Sequence, residues 1–224
     1  MVEIVLASSR GRGLKRLMAE RHQNPDNLIH IYYKGATYED LLKHLRTLWL
    51  MLEKPERDGA RVYFMAGLCN LTHMERRGRY QETTFMDDPD IAVTRVMRSI
   101  QAVSDATKEL GAKPIFCTVV PSSIREWNLH RLRVGCTAYL RHQDRYPLMQ
   151  HNLLQATITL NKHITRHNMT NTVHTPKIAD TVIHNKGKGK NKRVQYSKLV
   201  DGVHPDEALK RAWAIKLTSS MARH

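Results

Sequence analysis

The chain has 224 residues, 41% of them hydrophobic, which suffices for the core of one domain of ordinary size. It contains no run of 18 apolar residues and no secretory signal pattern, so neither a membrane span nor export is predicted. Three cysteines make no disulfide framework, and we therefore expect an intracellular protein, cytoplasmic or nuclear.

The charge is strongly unbalanced. Lys and Arg number 36 against 21 Asp and Glu, which gives a net charge of +15 and a pI near 10. Such an excess favours polyanionic partners such as nucleic acid, with solubility alone as the alternative. Oligomeric state cannot be inferred from these numbers.

Short apolar segments alternate with helical patterns along the chain. Strands are predicted at 2–7, 28–33, 61–66, 114–120 and, as a short fifth strand, 172–175. Helices are predicted at 14–20, 37–54, 91–110, around Trp127 to Leu132, 147–168 and 208–217, with Thr37 as an N-cap. Residues 73–89 are polar and are predicted to form a long loop. The alternation predicts one α/β domain over 1–224, with a parallel sheet of about five strands covered on both faces.

Polar and small residues follow the first three strands, namely Ser9, Gly35 and Asn70. Ligands of parallel sheets bind beyond the carboxyl ends of the strands, so we expect these residues to converge at one edge. Near the other end of the chain, Asp201 and His204 lie three residues apart in a turn before the last helix. An Asp can orient a His that takes a proton from a serine, although helix capping plus a surface His is the alternative interpretation.

The four blocks that carry Ser9, Gly35, Asn70 and Asp201-Gly202-Val203-His204-Pro205 resemble those of the SGNH, or GDSL-like, hydrolases. The resemblance spans nearly the whole chain. Within that superfamily the set is most similar to esterase domains of retrotransposon proteins and of related mobile-element or viral proteins. The resemblance implies a flavodoxin-like, three-layer α/β/α sandwich that hydrolyses a small ester or acylated substrate without cofactor or metal.

The resemblance also implies residue roles. Ser9 would be the nucleophile, His204 the general base and Asp201 its orienting carboxylate, while the Ser9 amide, the Gly35 amide and the Asn70 side chain would form the oxyanion hole. Two blocks depart from the family pattern. The chain has Ala7-Ser8-Ser9 where the family has Gly-Asp-Ser, and two residues separate Gly67 from Asn70. Ser8 as nucleophile, and a catalytically degenerate fold that binds nucleic acid or protein, remain alternatives.

A run of alternating Lys and Gly precedes the Asp201–His204 turn. Its cationic residues are Lys186, Lys188, Lys190, Lys192 and Arg193. This segment could bind phosphate backbones without reading their sequence. It could equally steer an anionic substrate, or be an ordinary solvated loop.

Overall fold

The structure is a computed structural model that describes residues 1–185 and 192–223. In chain order the strands are β1 (Glu3–Ser8), β2 (Leu28–Tyr33), β3 (Arg61–Met65), β4 (His73–Arg77), β5 (Tyr80–Thr84), β6 (Lys113–Phe116), β7 (Ile183–Asn185) and β8 (Lys192–Val194). The helices are α1 (Leu14–Ala19), α2 (Tyr38–Met51), α3 (Lys54–Arg57), α4 (Leu68–Leu71), α5 (Pro89–Glu109), α6 (Ile124–Arg133), α7 (Tyr146–Thr170) and α8 (Glu207–Met221).

A parallel sheet in the order β2-β1-β3-β6 forms the centre of the fold. Side chains of β1 alternate between its two faces. Ile4 and Leu6 belong to the core formed with α2, α5 and α7. Val5 and Ala7 belong to the core formed with α1 and α8. Both faces of β1 are therefore buried, as its continuous apolar sequence predicts, and the predicted α/β/α sandwich is confirmed.

The sheet has four strands rather than about five. Residues 172–175 form no strand, and β6 ends at Phe116 rather than near Val120. Two asparagines of α7 occupy the free edge beside β6 instead. Asn168 bonds both the amide nitrogen (3.2 Å) and the carbonyl oxygen (2.8 Å) of Phe116, and Asn161 does the same for Val119 (2.6 and 2.8 Å). These amides satisfy the backbone groups that a fifth strand would otherwise pair.

The predicted long loop at 73–89 is wrong, because it contains the antiparallel hairpin β4–β5. Arg77 pairs with Tyr80 across a two-residue turn, in which Gly78 takes a left-handed φ of 57°. Helix α6 packs on β5, where the buried Asn128 side chain bonds the Thr83 amide and carbonyl at 2.9 and 2.8 Å. The hairpin is polar because the helix pairs with its backbone rather than burying an apolar face.

The local signal at the start of α2 is confirmed. Thr37 caps α2 in a capping box with Asp40, as its sequence position predicts. Asp206 caps α8 by accepting a hydrogen bond from the Leu209 amide at 2.7 Å. Across the described ranges, no helix combines the length and apolar character needed to cross a lipid bilayer.

Candidate active site

Ser9 lies where β1 ends, at the start of a 3-10 turn that runs from Ser9 to Gly11. The turn folds back tightly on the strand. A Cβ on Gly11 would lie 2.2 Å from the Cβ of Ala7, a distance that real side chains do not reach. Glycine at position 11 therefore lets the chain turn immediately after Ser9, which leaves the Ser9 side chain half-buried at the carboxyl edge of the sheet.

The turn at residues 201–204 is organised around the Asp201 carboxylate. Its Oδ1 accepts the backbone amides of Val203 and His204 at 2.9 and 2.7 Å. Its Oδ2 lies 2.6 Å from His204 Nδ1. A single carboxylate thus fixes both the backbone of the turn and the ring of the histidine. That the ring donates from Nδ1 is inferred from this pairing.

The second ring nitrogen of His204 faces the serine. His204 Nε2 lies 3.1 Å from Ser9 Oγ, within hydrogen-bond distance across 195 residues of chain. The Asp201 side chain is 10% exposed and the His204 side chain 33% exposed. Ser9, His204 and Asp201 therefore form a continuous Ser–His–Asp hydrogen-bonded array that is shielded at the carboxylate and open to solvent at the serine.

The carboxylate stays ionised despite its burial. Burial by itself would raise the pKa of Asp201, but the hydrogen bonds from the His204 ring and from the backbone amides of His204 and Val203 outweigh it and hold this pKa at about 2. At neutral pH the group is therefore an acceptor that can stabilise a positive charge on the neighbouring imidazole.

Gly202 joins this turn to the start of α6. Its φ is 85°, and a Cβ there would lie 2.8 Å from the Ser123 carbonyl oxygen and 3.0 Å from the Trp127 amide nitrogen. The Ser123 amide donates to the Gly202 carbonyl at 2.8 Å. The Trp127 ring in turn meets the His204 ring edge-on, with centroids 5.5 Å apart. Helix α6 thus contacts both the turn at residues 201–204 and the ring of its histidine.

Arg10 connects the turn that carries Ser9 to the segment just before α6. Its guanidinium is buried and donates to the Val120 carbonyl at 2.7 Å and to Ser122 Oγ, both in the connection between β6 and α6. Burial lowers the pKa of Arg10 to about 10, and the negative charge of Asp201 acts in the opposite direction. Arg10 therefore stays protonated at neutral pH and adds a fixed positive charge beneath the site.

The predicted oxyanion donors lie on neighbouring elements. Gly35 follows β2, is exposed, and has a left-handed φ of 70° with open space where a Cβ would stand. Backbone conformation rather than packing is what favours glycine at this position. Asn70 lies in α4, where its Oδ1 accepts the Tyr38 amide at 3.1 Å and its Nδ2 donates to Glu39 at 2.8 Å. One Asn70 N–H is thus engaged, and the oxyanion roles of Gly35 and Asn70 stay predictions.

A thiol nucleophile beside Asn70 would be a rival to Ser9. Cys69 is half-buried, and burial raises the pKa of its thiol, although the nearby Arg10 charge partly counteracts this. A thiol with a raised pKa is mostly protonated at neutral pH and is a poor nucleophile. Cys69 therefore gains no support as a catalytic group.

The predicted cationic segment, residues 186–193, lies largely outside the residues that the structure describes. Lys186, Lys188 and Lys190 lie outside the described residues, and of Lys192 only the place of its backbone in β8 is described. Arg193 is exposed and pairs in register with His184 of β7. The assignment of this segment to nucleic-acid binding stays a prediction.

Sequence reasoning missed three residues that shape the site: Arg10, Trp127 and Gly202. An arginine that follows a predicted nucleophile gives no sequence signal of burial. Trp127 was expected only as a helix core residue. Gly202 stands inside the predicted turn, and its role in a close approach to α6 depends on contacts with a distant segment.

A cavity of about 310 Å³ lies elsewhere. It is lined by residues that include Glu3 and Arg61, the first residues of β1 and β3. These positions mark the amino edge of the sheet, opposite the edge that holds Ser9. This cavity is therefore not part of the Ser9–His204–Asp201 array.

Solved structures share this fold. A GDSL-like lipase from Bacteroides thetaiotaomicron aligns with 98% of this chain and 86% of its own, at a TM-score of 0.58 and 15% identity. A member of the lipolytic G-D-S-L family from Veillonella parvula aligns over 100% of both chains, at a TM-score of 0.57 and 12% identity. A lipase/acylhydrolase from Enterococcus faecalis aligns with 99% of this chain and 95% of its own, at a TM-score of 0.56 and 15% identity.

Neither a protein-family model nor a curated protein matches the sequence. The likeness at these low identities therefore concerns the fold. The chain has the α/β fold of GDSL and SGNH-like hydrolases, as the resemblance of its four sequence blocks implied.

Proposed function

We propose that the protein is a serine acyl-ester hydrolase in which Ser9 is the nucleophile, His204 the general base and Asp201 its orienting carboxylate. The observation that carries the proposal is the continuous array from Asp201 Oδ2 through the His204 ring to Ser9 Oγ, with contacts of 2.6 and 3.1 Å. The fold shared with lipases and acylhydrolases supports the same reaction class.

The geometry allows ester hydrolysis in two steps, acylation of Ser9 and then deacylation. Ser9 Oγ attacks the acyl carbon while its proton passes to His204 Nε2, and the oxyanion that forms accepts hydrogen bonds from the Ser9 and Gly35 amides and the remaining Asn70 N–H. His204 then protonates the leaving alkoxide, which departs as the alcohol. In the second half His204 takes a proton from water, the hydroxide attacks the acyl-serine, and the carboxylic acid leaves as Ser9 regains its proton.

Paired serine variants test this assignment. Ser9→Ala should lower kcat/KM for short and long p-nitrophenyl esters by at least about 10³-fold, since the nucleophile is lost, and the Ser9→Ala/His204→Ala double variant should be little worse because triad members act as a unit. The matched control is Ser8→Ala, which alters the adjacent buried serine and should leave kcat/KM close to the native value. Loss of activity in Ser8→Ala with activity kept in Ser9→Ala would move the nucleophile to residue 8.

A non-catalytic binding module is the second candidate. It is favoured by the bond that Asn70 Nδ2 makes to Glu39, which occupies one donor of the expected oxyanion hole, and by Ser8 in the place of the family's aspartate. Absence of hydrolysis over a broad ester panel, together with no covalent labelling of Ser9 by a fluorophosphonate, would support this candidate over the enzyme.

We extend the proposal to the origin and partners of the chain. An esterase domain of a mobile element, associated with nucleic acid through residues 186–193, is supported by the net charge of +15 and by the resemblance of the four blocks. Replacing the five cations of that segment with Ser should flatten the salt dependence of nucleic-acid binding, because each lost phosphate contact releases one fewer counterion. An unchanged salt slope would remove the segment from the binding surface.

A further inference from the structure

Helix α6 carries an arginine, Arg131, whose guanidinium lies over the Trp127 ring that also contacts His204. Helix α6 runs along one face of the hairpin, where Trp127 Nε1 donates to Thr83 Oγ1 at 3.1 Å. One helical turn later Arg131 donates to the Gln81 side chain. The two contacts can form side by side because the four residues from Trp127 to Arg131 along the helix and the two residues from Thr83 to Gln81 along the strand both span about 6 to 7 Å.

Arg76 forms a pair with Arg131. It is directly opposite Gln81 in the hairpin, so both side chains emerge on the face that α6 covers. The two guanidinium groups are close enough to affect each other. Burial lowers the pKa of Arg131, the nearby Cys136 acts in the opposite direction, and the positive charge of Arg76 again lowers this pKa. Arg76 is exposed and Arg131 half-buried, so the pair is open to solvent.

No carboxylate among the described residues forms an ion pair with either arginine, and the acidic neighbours have other partners. Glu75 emerges on the opposite face of the hairpin, where the Tyr80 hydroxyl and the His142 ring contact it. Glu126 lies 3.6 Å from Arg125. Two adjacent guanidinium groups without a counter-charge repel each other, and an anion between them would relieve that repulsion and accept charge-assisted hydrogen bonds.

The position of the pair relates it to the reacting atoms. The Arg131 guanidinium carbon lies 5.7 Å from the centroid of the Trp127 ring, and that ring also contacts the His204 ring, with centroids 5.5 Å apart. A substrate bound at Ser9 would therefore extend over one indole ring to reach the arginines. This distance suits an acyl chain of a few carbons that ends in an anionic group.

We propose that Arg76 and Arg131 form an anion-binding subsite of the candidate active site, which selects esters that carry a carboxylate, sulfate or phosphate group one indole width from the reacting carbonyl. The subsite rests on the proposed esterase function, because it is defined by its distance from Ser9. In this proposal the two arginines bind one anionic group of the substrate directly, rather than only adding to the net positive charge of the surface.

The test compares two esters of equal length. For the native protein, the mono-p-nitrophenyl ester of adipic acid should have a higher kcat/KM than neutral p-nitrophenyl hexanoate. Arg76→Gln should lower kcat/KM for the anionic ester by about tenfold, the order expected for one charge-assisted hydrogen bond at a partly exposed site, and leave the neutral ester unchanged. Arg131→Lys, which keeps the charge but loses the planar fork, should show the same selective loss.

Arg77→Gln is the matched control, since it removes the same charge from the adjacent residue on the opposite face of the hairpin. Equal losses in Arg76→Gln and Arg77→Gln would indicate only a long-range field and would overturn the subsite. Absence of any preference for the anionic ester in the native protein would overturn it as well. If the neutral ester is also not hydrolysed, it is the esterase function that has failed.

A binding measurement keeps the subsite testable in that case. Monomethyl adipate should bind Ser9→Ala in a calorimetric titration, and adding Arg76→Gln should weaken this binding about tenfold. Unchanged binding would overturn the subsite. Competition against monomethyl adipate by inorganic phosphate and by a single-stranded oligonucleotide, compared per phosphate, separates a small anionic headgroup from a polymer backbone as the natural source of the charge.

Discussion

The buried carboxylates of Glu82 and Asp201 both accept several hydrogen bonds, but their hydrogen-bond partners differ in what they contact in turn. Glu82 on the hairpin is fully buried and accepts hydrogen bonds from the Tyr80 and Tyr146 hydroxyls and from the Arg141 and His142 amides. For Glu82, as for Asp201, burial would raise the pKa, but the hydrogen bonds outweigh it and lower this pKa.

The difference lies in the partners. The Tyr80 and Tyr146 hydroxyls have raised pKa values, because burial and the adjacent Glu82 charge both disfavour their ionised forms. They hold their protons at neutral pH, and among the described residues no hydrogen bond links the Glu82 cluster to a candidate nucleophile such as Ser9. Asp201 instead contacts an imidazole whose second nitrogen meets Ser9 Oγ. Glu82 is thus a structural carboxylate that stabilises the packing of its neighbours. Asp201 is a candidate catalytic carboxylate, because its histidine partner reaches a nucleophile.

The largest expected difference concerns activity. Asp201→Asn should lower kcat/KM for a p-nitrophenyl ester by about 10⁴-fold, because the amide no longer selects the productive tautomer of the histidine or stabilises its protonated form. Asp206→Asn is the matched control, since Asn caps a helix as well as Asp does, and its kcat/KM should remain near the native value. Similar losses in the two variants would separate Asp201 from the reaction.

The second difference concerns stability. Glu82→Gln should lower the free energy of unfolding by about 2 to 4 kcal/mol, because the new amide places donors against buried donors and leaves them unsatisfied. Urea unfolding measures this loss, and the activity per folded molecule should stay near the native value. Glu75→Gln changes a less buried carboxylate of the same hairpin and should cost less than about 1 kcal/mol. A loss of activity with full stability in Glu82→Gln would assign Glu82 to the site.

The smallest expected effect is the pH dependence of stability. The folded pKa of Asp201 is about 2 and the unfolded value about 3.9, so its charge contributes about 2 to 3 kcal/mol. This contribution is fully present above the unfolded pKa and is lost as pH falls through the folded pKa. The difference in unfolding free energy between native protein and Asp201→Asn should therefore shrink as the pH falls from about 4 to about 2. A constant difference down to pH 2 would contradict the lowered pKa.

Much of the fold could be predicted from sequence because its signals are local. A continuous apolar segment predicted β1, a short segment rich in Ile and Tyr predicted β2, and Thr37 with Asp40 predicted the start of α2. The turn at 201–204 is also a local structure, since one carboxylate orders residues that are at most three positions away. The approach of this turn to Ser9 was implied by the resemblance of the four sequence blocks rather than by any local pattern.

The missed features depend on partners that are distant in sequence. The hairpin β4–β5 has few apolar residues, and its backbone is satisfied by Asn128 of α6. Arg10 is buried only because the Val120 carbonyl and Ser122 Oγ accept its hydrogen bonds from more than 100 residues away. Such long-range polar contacts have no periodicity in the sequence, so pattern reasoning does not detect them.

The asparagines beside β6 have a consequence for self-association. An edge strand with free amide and carbonyl groups is a template on which another chain can add a strand. Asn161 and Asn168 already occupy those groups at Val119 and Phe116. Growth of the sheet by strand addition is therefore blocked beside β6 and, within the described sheet, left only to the edge at β2. Substituting either asparagine by alanine would open an aggregation-prone edge without touching the residues around Ser9.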